Sequence, residues 1–246
     1  MEVHHHPHVE KKNFKEYFLE FLMIFLAVTL GFFAENLREY FSDSQKENQY
    51  MHSLAEDLKK DTTALHYSIR RLQNDIDGAH RLAVLFANKQ LMSQNDTTIL
   101  WLTLDPAHSV DIIFNDRTSS QLKSTGSIGL IRNKNISDSI LQYWNNQIAA
   151  NQAHDKFENV RMEQHEIGYK TFNWFKVFFL NRYMGADSSI IDAMPVKPVL
   201  NSANINEFLN ITGNLFNEAC FQYMPVLNRQ LNLATELINE IKKEYP

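Results

Sequence analysis

The longest uninterrupted apolar stretch of the chain lies near its N-terminus. Residues 21–34 read FLMIFLAVTLGFFA, without a charge and with Thr29 as the only polar side chain. Extended back to residue 17, the stretch is interrupted only by Glu20. A helix needs about 17 to 25 residues of this kind to cross a bilayer. The pattern therefore predicts a transmembrane helix over residues 17–34.

Two other interpretations of this stretch are weaker. A buried helix of a globular protein usually keeps a polar stripe, and residues 21–34 have none. A cleaved signal peptide needs small residues three positions and one position before the cut, but the stretch ends in GFFA, with phenylalanine at the critical place. We therefore expect an uncleaved signal-anchor.

The cations on either side of the stretch predict its orientation. Three lysines precede it, at positions 11, 12 and 15, whereas Arg38 is the only cation close behind it. Cytoplasmic flanks of membrane helices carry an excess of lysine and arginine. We therefore expect residues 1–16 to be a short cytoplasmic tail and the chain after about residue 35 to lie outside, in the periplasm.

Behind the anchor, the apolar positions change to a helical repeat. Residues 44–89 contain no proline and one glycine, and their apolar side chains recur in steps of three and four. These are Met51, Leu54, Leu58, Leu65, Ile69, Leu72, Ile76, Ala79, Ala83 and Phe86. These positions form one apolar face of a helix, which we call the seam. Asp61 occupies one position of the seam and makes the face less apolar there. The repeat, which is typical of coiled coils, predicts one long helix packed on another and continuous with the anchor helix.

The middle of the chain predicts two further helices. Residues 93–116 are the least regular part and are expected to form a crossover. Residues 117–125 predict a short helix stopped by Gly126, and an asparagine at position 133 or 135 can cap a second long helix that runs to about residue 183. Near its end, the ten residues TFNWFKVFFL favour either an aromatic bundle core or contact with the membrane surface.

A last helix completes the predicted fold. It begins near residue 206 or 213, ends at Glu244, and contains Pro225, which should kink it. The elements together predict an all-α fold. Its N-terminal transmembrane helix continues into an elongated antiparallel helical bundle, and residues 35–246 form one helical soluble domain.

Composition narrows the possible functions. The 246 residues include seven glycines and six prolines, too few for a fold with many hairpins. The net charge of −5 argues against nucleic-acid binding, which needs a basic surface. Cys220 is the only cysteine, so no disulfide can form within the chain, and its apolar surroundings predict a buried, inert thiol.

One polar cluster is a candidate contact for an anion or a partner. Lys123, Arg132 and Lys134 flank a loop that enters a predicted helix N-terminus, where backbone N–H groups attract anions. The alternative is ordinary helix capping, with Gly126 ending one helix and an asparagine at 133 or 135 beginning the next. The sequence leaves both interpretations open and favours capping.

No other pattern indicates a catalytic, cofactor or metal site. The histidines HHHPH at residues 4–8 suggest a disordered tail more than a metal site. His154 with Glu158, and Arg161 with His165, are each one helical turn apart and are expected to be solvated pairs on a helix face. We therefore expect no catalytic residues, no cofactor and no metal.

Three stretches carry a resemblance to a known family. They are VHHHPHVEKKNFKEYFLEFLMIFLAVTLGFFAEN at residues 3–36, YMHSLAEDLKKDTTAL at residues 50–65 and DRTSSQLKSTGSIGLIRNKNISDSILQYW at residues 116–144. In this order they resemble an uncharacterised family of single-pass membrane proteins of Gram-negative bacteria. The resemblance implies an N-terminal membrane anchor and an α-helical body, and no particular activity.

These observations favour a non-enzymatic protein at the bacterial inner membrane. We expect a structural or protein-interaction role, with the lipid bilayer and a protein partner or a second copy of the chain as binding partners. The alternative is a sensory or ligand-binding helical ectodomain that acts through a partner. The sequence identifies no small molecule and no nucleic acid as a ligand.

Overall fold

A computed structural model describes residues 13–88, 111–172 and 202–246. Of these residues, 91% are helical and none lies in a strand. The predicted all-α fold class is therefore confirmed, with the later helices packing against a long N-terminal helix. The N-terminal histidines, most of the predicted crossover and most of the aromatic stretch at residues 171–180 lie outside the described residues.

The first helix, α1, spans Phe14–Ala87. No proline interrupts it, so no residue beyond the first turn lacks the backbone N–H that the helix needs. At its start, Glu16 accepts a hydrogen bond of 3.1 Å from the backbone N–H of Asn13, as acidic residues in a first turn often do. The predicted anchor and the predicted seam thus belong to one helix, as expected.

The chain divides into two compact units, Met1–Tyr50 and Met51–Pro246. In the first unit most of the apolar side chains of α1 point outward and are more than half exposed, for example those of Phe18, Phe21, Ile24, Phe25, Leu30 and Phe33. An 18-residue window of α1 has a mean hydropathy of 2.1, and none of it is buried. In the described part of the chain, α1 is the one helix long and apolar enough to cross a membrane.

The second unit, which we call the body, has a continuous apolar core. Most of the predicted seam of α1 is buried, including Met51, Leu54, Leu58, Leu65, Leu72 and Ala79. The central cluster joins Leu65 and Leu72 to Phe157, Tyr223 and Leu227. Burying side chains of this size contributes about 1.5 to 3 kcal/mol each. The last predicted seam positions, Ala83 and Phe86, are not buried and line an open groove.

Two short elements precede the next long helix in the described part of the chain. The helix α2 spans Arg117–Ser124, and a 3-10 turn follows at Ser127–Leu130. Gly126 separates them with a φ of 66°, a left-handed conformation that glycine adopts without strain. The helix α3 spans Lys134–Thr171, and the side chain of Asn133 caps it by accepting from the N–H of Asn135. The capping that the sequence predicted here is therefore confirmed.

The second long helix ends earlier than predicted. Phe172 is extended, with φ −119° and ψ 154°, so α3 stops at Thr171 rather than near residue 183. Phe172 is buried, and its ring packs edge-to-face on Phe208 at 4.8 Å between centroids. This aromatic contact favours leaving the helix at that point.

The C-terminal region forms two helices joined by a wider turn. The helix α4 spans Ser202–Asn217, a π-helical turn covers Glu218–Tyr223, and α5 spans Met224–Glu244. Pro225 lies in the first turn of α5, where a missing backbone N–H costs little. At the kink predicted for Pro225, the structure has a π-helical turn immediately before this residue.

Contacts along α3 define the directions of the body helices. Asp61 of α1 contacts Tyr143, and further along both helices Ala79 and Phe157 line one small cavity, so α1 and α3 run in the same direction. From the N-terminus of α3 to its C-terminus, successive residues contact Gln230, Tyr223, Thr212 and Asn204, so the residue numbers of the partners decrease. The antiparallel pairing expected from the sequence thus holds between α3 and the α4–α5 region.

Candidate functional site

Two buried carboxylates of α1 form the most unusual polar feature of the body. Asp57 is 2% exposed and Asp61 is 1% exposed. They are separated by one helical turn, so both side chains point to the same face of the helix. A buried carboxylate is costly unless hydrogen bonds and opposite charges compensate it. The groups around these two residues therefore determine what the site can do.

Asp57 caps the short helix α2 from a different helix. Its Oδ2 accepts from the backbone N–H of Thr118 at 3.2 Å and from the Thr118 hydroxyl at 2.6 Å. The residue at the usual capping position, Asp116, makes no such side-chain bond. The guanidinium of Arg117 donates to Asp57 Oδ1 at 3.2 Å, and Lys60 Nζ lies 3.9 Å from the same oxygen. A negative charge at a helix N-terminus is favourable because it meets the positive end of the helix dipole.

Asp61 links α1 to two other parts of the chain, the residues just before α2 and the helix α3. Its Oδ1 accepts from both the backbone N–H and the side-chain amide of Asn115, each at 2.8 Å. Its Oδ2 accepts from the Tyr143 hydroxyl at 2.7 Å. Burial, followed by the nearby charge of Asp61, raises the pKa of Tyr143 far above its usual range. Tyr143 therefore remains a hydrogen-bond donor to Asp61 rather than a reactive phenolate.

Buried amides extend this network to α5. Gln230 is fully buried, and its Oε1 accepts from Asn146 Nδ2 at 2.7 Å. Its Nε2 lies 3.4 Å from the backbone oxygen of Tyr143. Each amide thus has a partner on another helix, which fixes how α3 and α5 align because a buried amide without one costs about 1 to 3 kcal/mol.

The chemistry of the network is structural. Each oxygen of the two carboxylates already accepts at least one hydrogen bond, and both side chains are almost completely buried. A catalytic carboxylate needs a place for a substrate beside it. In the described ranges no group of three or more His, Cys, Asp or Glu residues could hold a metal ion. The arrangement fastens α2 and α3 to α1.

The structure places the predicted cationic residues around the α2–α3 connection without making them one cluster. Lys123 lies in the last turn of α2, and its Nζ is 4.3 Å from the ring centroid of Trp144. Arg132 is exposed in the chain before α3, and Lys134 is the exposed first residue of α3. The Lys123 ammonium is thus engaged by an aromatic ring, while an anion contact at Arg132 and Lys134 stays a prediction.

The pairs that the sequence placed on a solvated face of α3 have other partners, so that interpretation is wrong. His154 Nε2 lies 3.3 Å from Asp111 Oδ1, and its Nδ1 lies 3.2 Å from the Tyr223 hydroxyl. Arg161 is 7% exposed and binds Glu158 through two nitrogens. His154 and Arg161 are therefore more enclosed than residues on a solvated helix face.

The sole cysteine is less enclosed than the sequence suggested. Cys220 is half-buried in the π-helical turn, and partial burial raises the pKa of its thiol. A thiol with a raised pKa is a weaker nucleophile at neutral pH because less of it is ionised. The predicted inertness agrees with this direction of the shift.

No protein-family model, curated protein or solved structure matches the chain.

The resemblance described above therefore stays a prediction, but two of its three stretches meet in the structure. Asp57 and Asp61 belong to the stretch at residues 50–65, and their partners Thr118 and Tyr143 belong to the stretch at residues 116–144. The sequence signal for this contact was the acidic residue within the apolar seam. The sequence did not identify the partners of this residue, because they lie more than fifty positions away along the chain.

Proposed function

We propose that the chain is a single-pass membrane protein anchored by residues 17–34 as an uncleaved signal-anchor. The exposure of the apolar side chains in this part of α1 is the observation that supports the proposal most directly. Thr29, the one polar side chain of residues 21–34, satisfies its hydroxyl by donating to the backbone oxygen of Phe25 at 2.8 Å. A helix with internally satisfied polar groups and an apolar surface on all sides suits lipid.

The proposed location is the bacterial inner membrane, with residues 1–16 in the cytoplasm and the body in the periplasm. The lysines before the anchor support this orientation. The resemblance to single-pass proteins of Gram-negative bacteria supports the compartment. Both belong to one hypothesis, because an anchor inserted the other way would place the same body in the cytoplasm.

The proposed role of the body is a protein contact, either with a partner or with a second copy of the chain. The buried carboxylates of Asp57 and Asp61 bind groups on neighbouring segments and so hold the helices together. Its outer surface keeps large apolar side chains on α3 that are 44–57% exposed, namely Leu141, Ile148, Met162 and Tyr169. Their positions are multiples of seven apart, so they lie along one side of the helix.

Membrane fractionation with reporters at both termini tests the proposal. The full-length protein is expected to remain in the membrane pellet after an alkaline carbonate wash. A periplasm-dependent reporter should be active at the C-terminus and inactive at the N-terminus. Release by carbonate would refute the anchor, and the opposite reporter pattern would refute only the orientation.

Cross-linking in membranes tests the role of the body. Ile148→Lys combined with Met162→Lys should abolish a cross-linked species seen with the wild type, because both changes place a charge on the exposed apolar side of α3. Tyr67→Lys, an equally exposed position on α1, is the control and should leave that species unchanged. A wild type that gives no cross-linked species would contradict the interaction role.

A second candidate function is a ligand-binding ectodomain, and one groove favours it. The groove has a volume of about 420 Å³, within the usual range for small-molecule sites, and lies between α1 and α4. Small and aromatic side chains dominate its lining, including Ala79, Ala83, Gly213 and Phe216. A fluorescent long-chain fatty acid should bind the solubilised protein, and Ala83→Trp should prevent it. Absence of binding to the wild type would remove this alternative.

A further inference from the structure

An open groove with polar walls lies between α3 and α5. Its volume is about 460 Å³, within the usual range for small-molecule sites. Residues 138–149 of α3 form one wall, and Arg229 of α5 forms the other. Unlike the groove between α1 and α4, most of its lining side chains carry groups that donate or accept hydrogen bonds. Its occupant should therefore be a polar molecule.

Asn146 gives the groove a fixed polar group. This residue is 8% exposed, and its Nδ2 donates to Gln230 Oε1 at 2.7 Å and to the backbone oxygen of Val226 at 3.3 Å. Both acceptors belong to α5, so these bonds hold the amide in one orientation. Its Oδ1 accepts no hydrogen bond within the described part of the chain. Because an unpaired oxygen on a largely buried side chain is costly, this wall favours an occupant with an N–H donor.

Two groups of opposite charge line the same groove. Arg229 and Asp138 are both exposed, and within the described residues neither forms an ion pair or a hydrogen bond. A guanidinium binds a carboxylate through two parallel N–H groups, and a carboxylate accepts hydrogen bonds from an ammonium. The groove is therefore complementary to a molecule that carries both a carboxylate and an ammonium group.

The separation of these two groups sets the length of the occupant. The bond between Gln230 and Asn146 places Arg229 at the level of residues 145–146 of α3. Asp138 lies two helical turns earlier, about 10 Å along the helix axis at 1.5 Å per residue. An extended chain of about three residues covers this distance. A single amino acid, whose two charged groups share one carbon atom, is too short to meet both.

We propose that the groove between α3 and α5 binds a short peptide of about three residues with free termini. The peptide carboxylate pairs with Arg229, its ammonium pairs with Asp138, and a backbone N–H between them donates to Asn146 Oδ1. The amides of Gln142 and Asn145 lie along the same wall and can bind further peptide groups. All of these contacts go to termini and backbone, so the groove selects the length of the peptide and its free ends. The proposal is independent of membrane anchoring, because every group involved belongs to the body.

Isothermal titration calorimetry of the full-length protein in detergent tests the proposal, with tri-L-alanine as the probe. We expect saturable binding at one site. Tri-L-alanine with an acetylated N-terminus and an amidated C-terminus should bind at least about tenfold more weakly, because it lacks both charges. A wild type that does not bind tri-L-alanine, or that binds both forms alike, would overturn the proposal.

Matched variants locate the binding site. Arg229→Met and Asp138→Asn should each weaken the binding of tri-L-alanine about tenfold and leave the circular dichroism spectrum unchanged, because both side chains are exposed. Arg70→Met and Asp155→Asn remove exposed charges outside the groove and should bind as the wild type does. Should Arg229→Met bind the peptide as tightly as the wild type, the assignment to this groove is wrong.

One more variant separates this site from the groove between α1 and α4. Ala83→Trp fills that apolar groove and should leave the binding of tri-L-alanine unchanged. A loss of peptide binding in Ala83→Trp would place the peptide in the apolar groove and contradict the proposal. Asn146 is kept in every variant, because its substitution would also break the bond to Gln230 that aligns α3 with α5.

Discussion

The two parts of α1 use apolar side chains in opposite ways. In the first unit the side chains of Ile24 and Phe25 are 66% and 54% exposed, and the surrounding positions are similar. In the body, Leu65 and Leu72 of the same helix are completely buried. The two stretches share helical geometry, so geometry does not account for the difference. What differs is the arrangement of polar residues around the helix.

Polar residues explain where each stretch finds its apolar environment. The first stretch has no polar side, and its helix is long and apolar enough to cross a membrane. The body stretch keeps one charged side for solvent and one apolar side for α3 and α4–α5. It also buries Asp57 and Asp61, which lipid would not tolerate without partners. The comparison predicts that charge is disruptive in the first stretch and required at selected points of the second.

The strongest test of the comparison adds charge to the anchor. Leu26→Asp together with Leu30→Asp places two carboxylates on one side of the predicted span. Each change from leucine to aspartate near a span centre opposes insertion by about 3 to 4 kcal/mol, or about 6 to 8 kcal/mol for both. We expect the double variant to appear in the carbonate-soluble fraction instead of the membrane pellet.

A matched pair of changes in the body serves as the control. Tyr67→Asp with Val84→Asp introduces the same charges at exposed apolar positions of the same helix. This variant should remain in the pellet, because neither position is expected to face lipid. If both double variants behave alike, the contrast between the two stretches is not one of solvent and lipid.

The next largest effect is expected from removing a charge that the body requires. Asp61→Ala leaves the Asn115 amides and the buried Tyr143 hydroxyl without their acceptor. Unsatisfied buried donors cost about 1 to 3 kcal/mol each, so we expect a loss of about 3 to 5 kcal/mol in the free energy of unfolding. Chemical denaturation followed by circular dichroism measures it.

Two further variants distinguish the network from the mere presence of an acid. Asp77→Ala removes an exposed carboxylate from the same helix and should change stability by no more than about 0.5 kcal/mol. Asp61→Asn retains one acceptor oxygen and should lie between the two. An Asp61→Ala protein as stable as Asp77→Ala would show that the buried bonds contribute nothing net.

The helices could be predicted because their signals are local. The end of α2 at Gly126 and the cap of α3 at Asn133 follow from residues within one turn of the boundary. The early end of α3 at Thr171 could not be predicted, since it depends on Phe172 packing against Phe208, far along the chain. Local periodicity carries no information about such a partner.

The candidate site was less predictable than the helices for the same reason. The acidic residue at position 61 was visible as a defect in an apolar seam, but its three donors belong to Asn115 and to Tyr143 of α3. Asp57 gave a weaker signal, because the helix it caps already has an aspartate at its own capping position. A cap supplied by a different helix leaves no spacing pattern in the sequence.

A smaller loss of stability, which depends on pH, is expected when the phenol of Tyr143, the donor to Asp61, is removed. The folded-state pKa of Tyr143 is raised, so the unfolded chain releases this proton near pH 10 while the folded body retains it. The stabilisation is therefore complete below about pH 10 and declines above it, by up to about 1.4 kcal/mol per pH unit for one proton. Tyr143→Phe should cost about 1 to 2 kcal/mol at neutral pH and reduce the alkaline slope.

Alkaline denaturation monitored by circular dichroism checks this sign. Tyr67→Phe, at an exposed phenol of α1, is the control and should leave the slope unchanged. Burial, and then the charges of Glu158 and Asp111, also raise the pKa of Tyr223, so part of the slope should persist in Tyr143→Phe. A variant with the full wild-type slope would mean that Tyr143 titrates alike in both states.

The smallest expected effect concerns the predicted cations, and it separates packing from ligand binding. Lys123→Met removes the ammonium from the face of Trp144, a contact worth about 0.5 to 1 kcal/mol at an exposed site, and should shift tryptophan fluorescence. Lys134→Met changes an exposed residue at the start of α3 and should leave both stability and fluorescence unchanged.

If these residues instead hold an anion, added phosphate should stabilise the wild type and the stabilisation should disappear in Lys134→Met. Phosphate without effect on the wild type would leave Lys123 as a packing residue and remove the anion interpretation, since a ligand that binds the folded state must raise its stability.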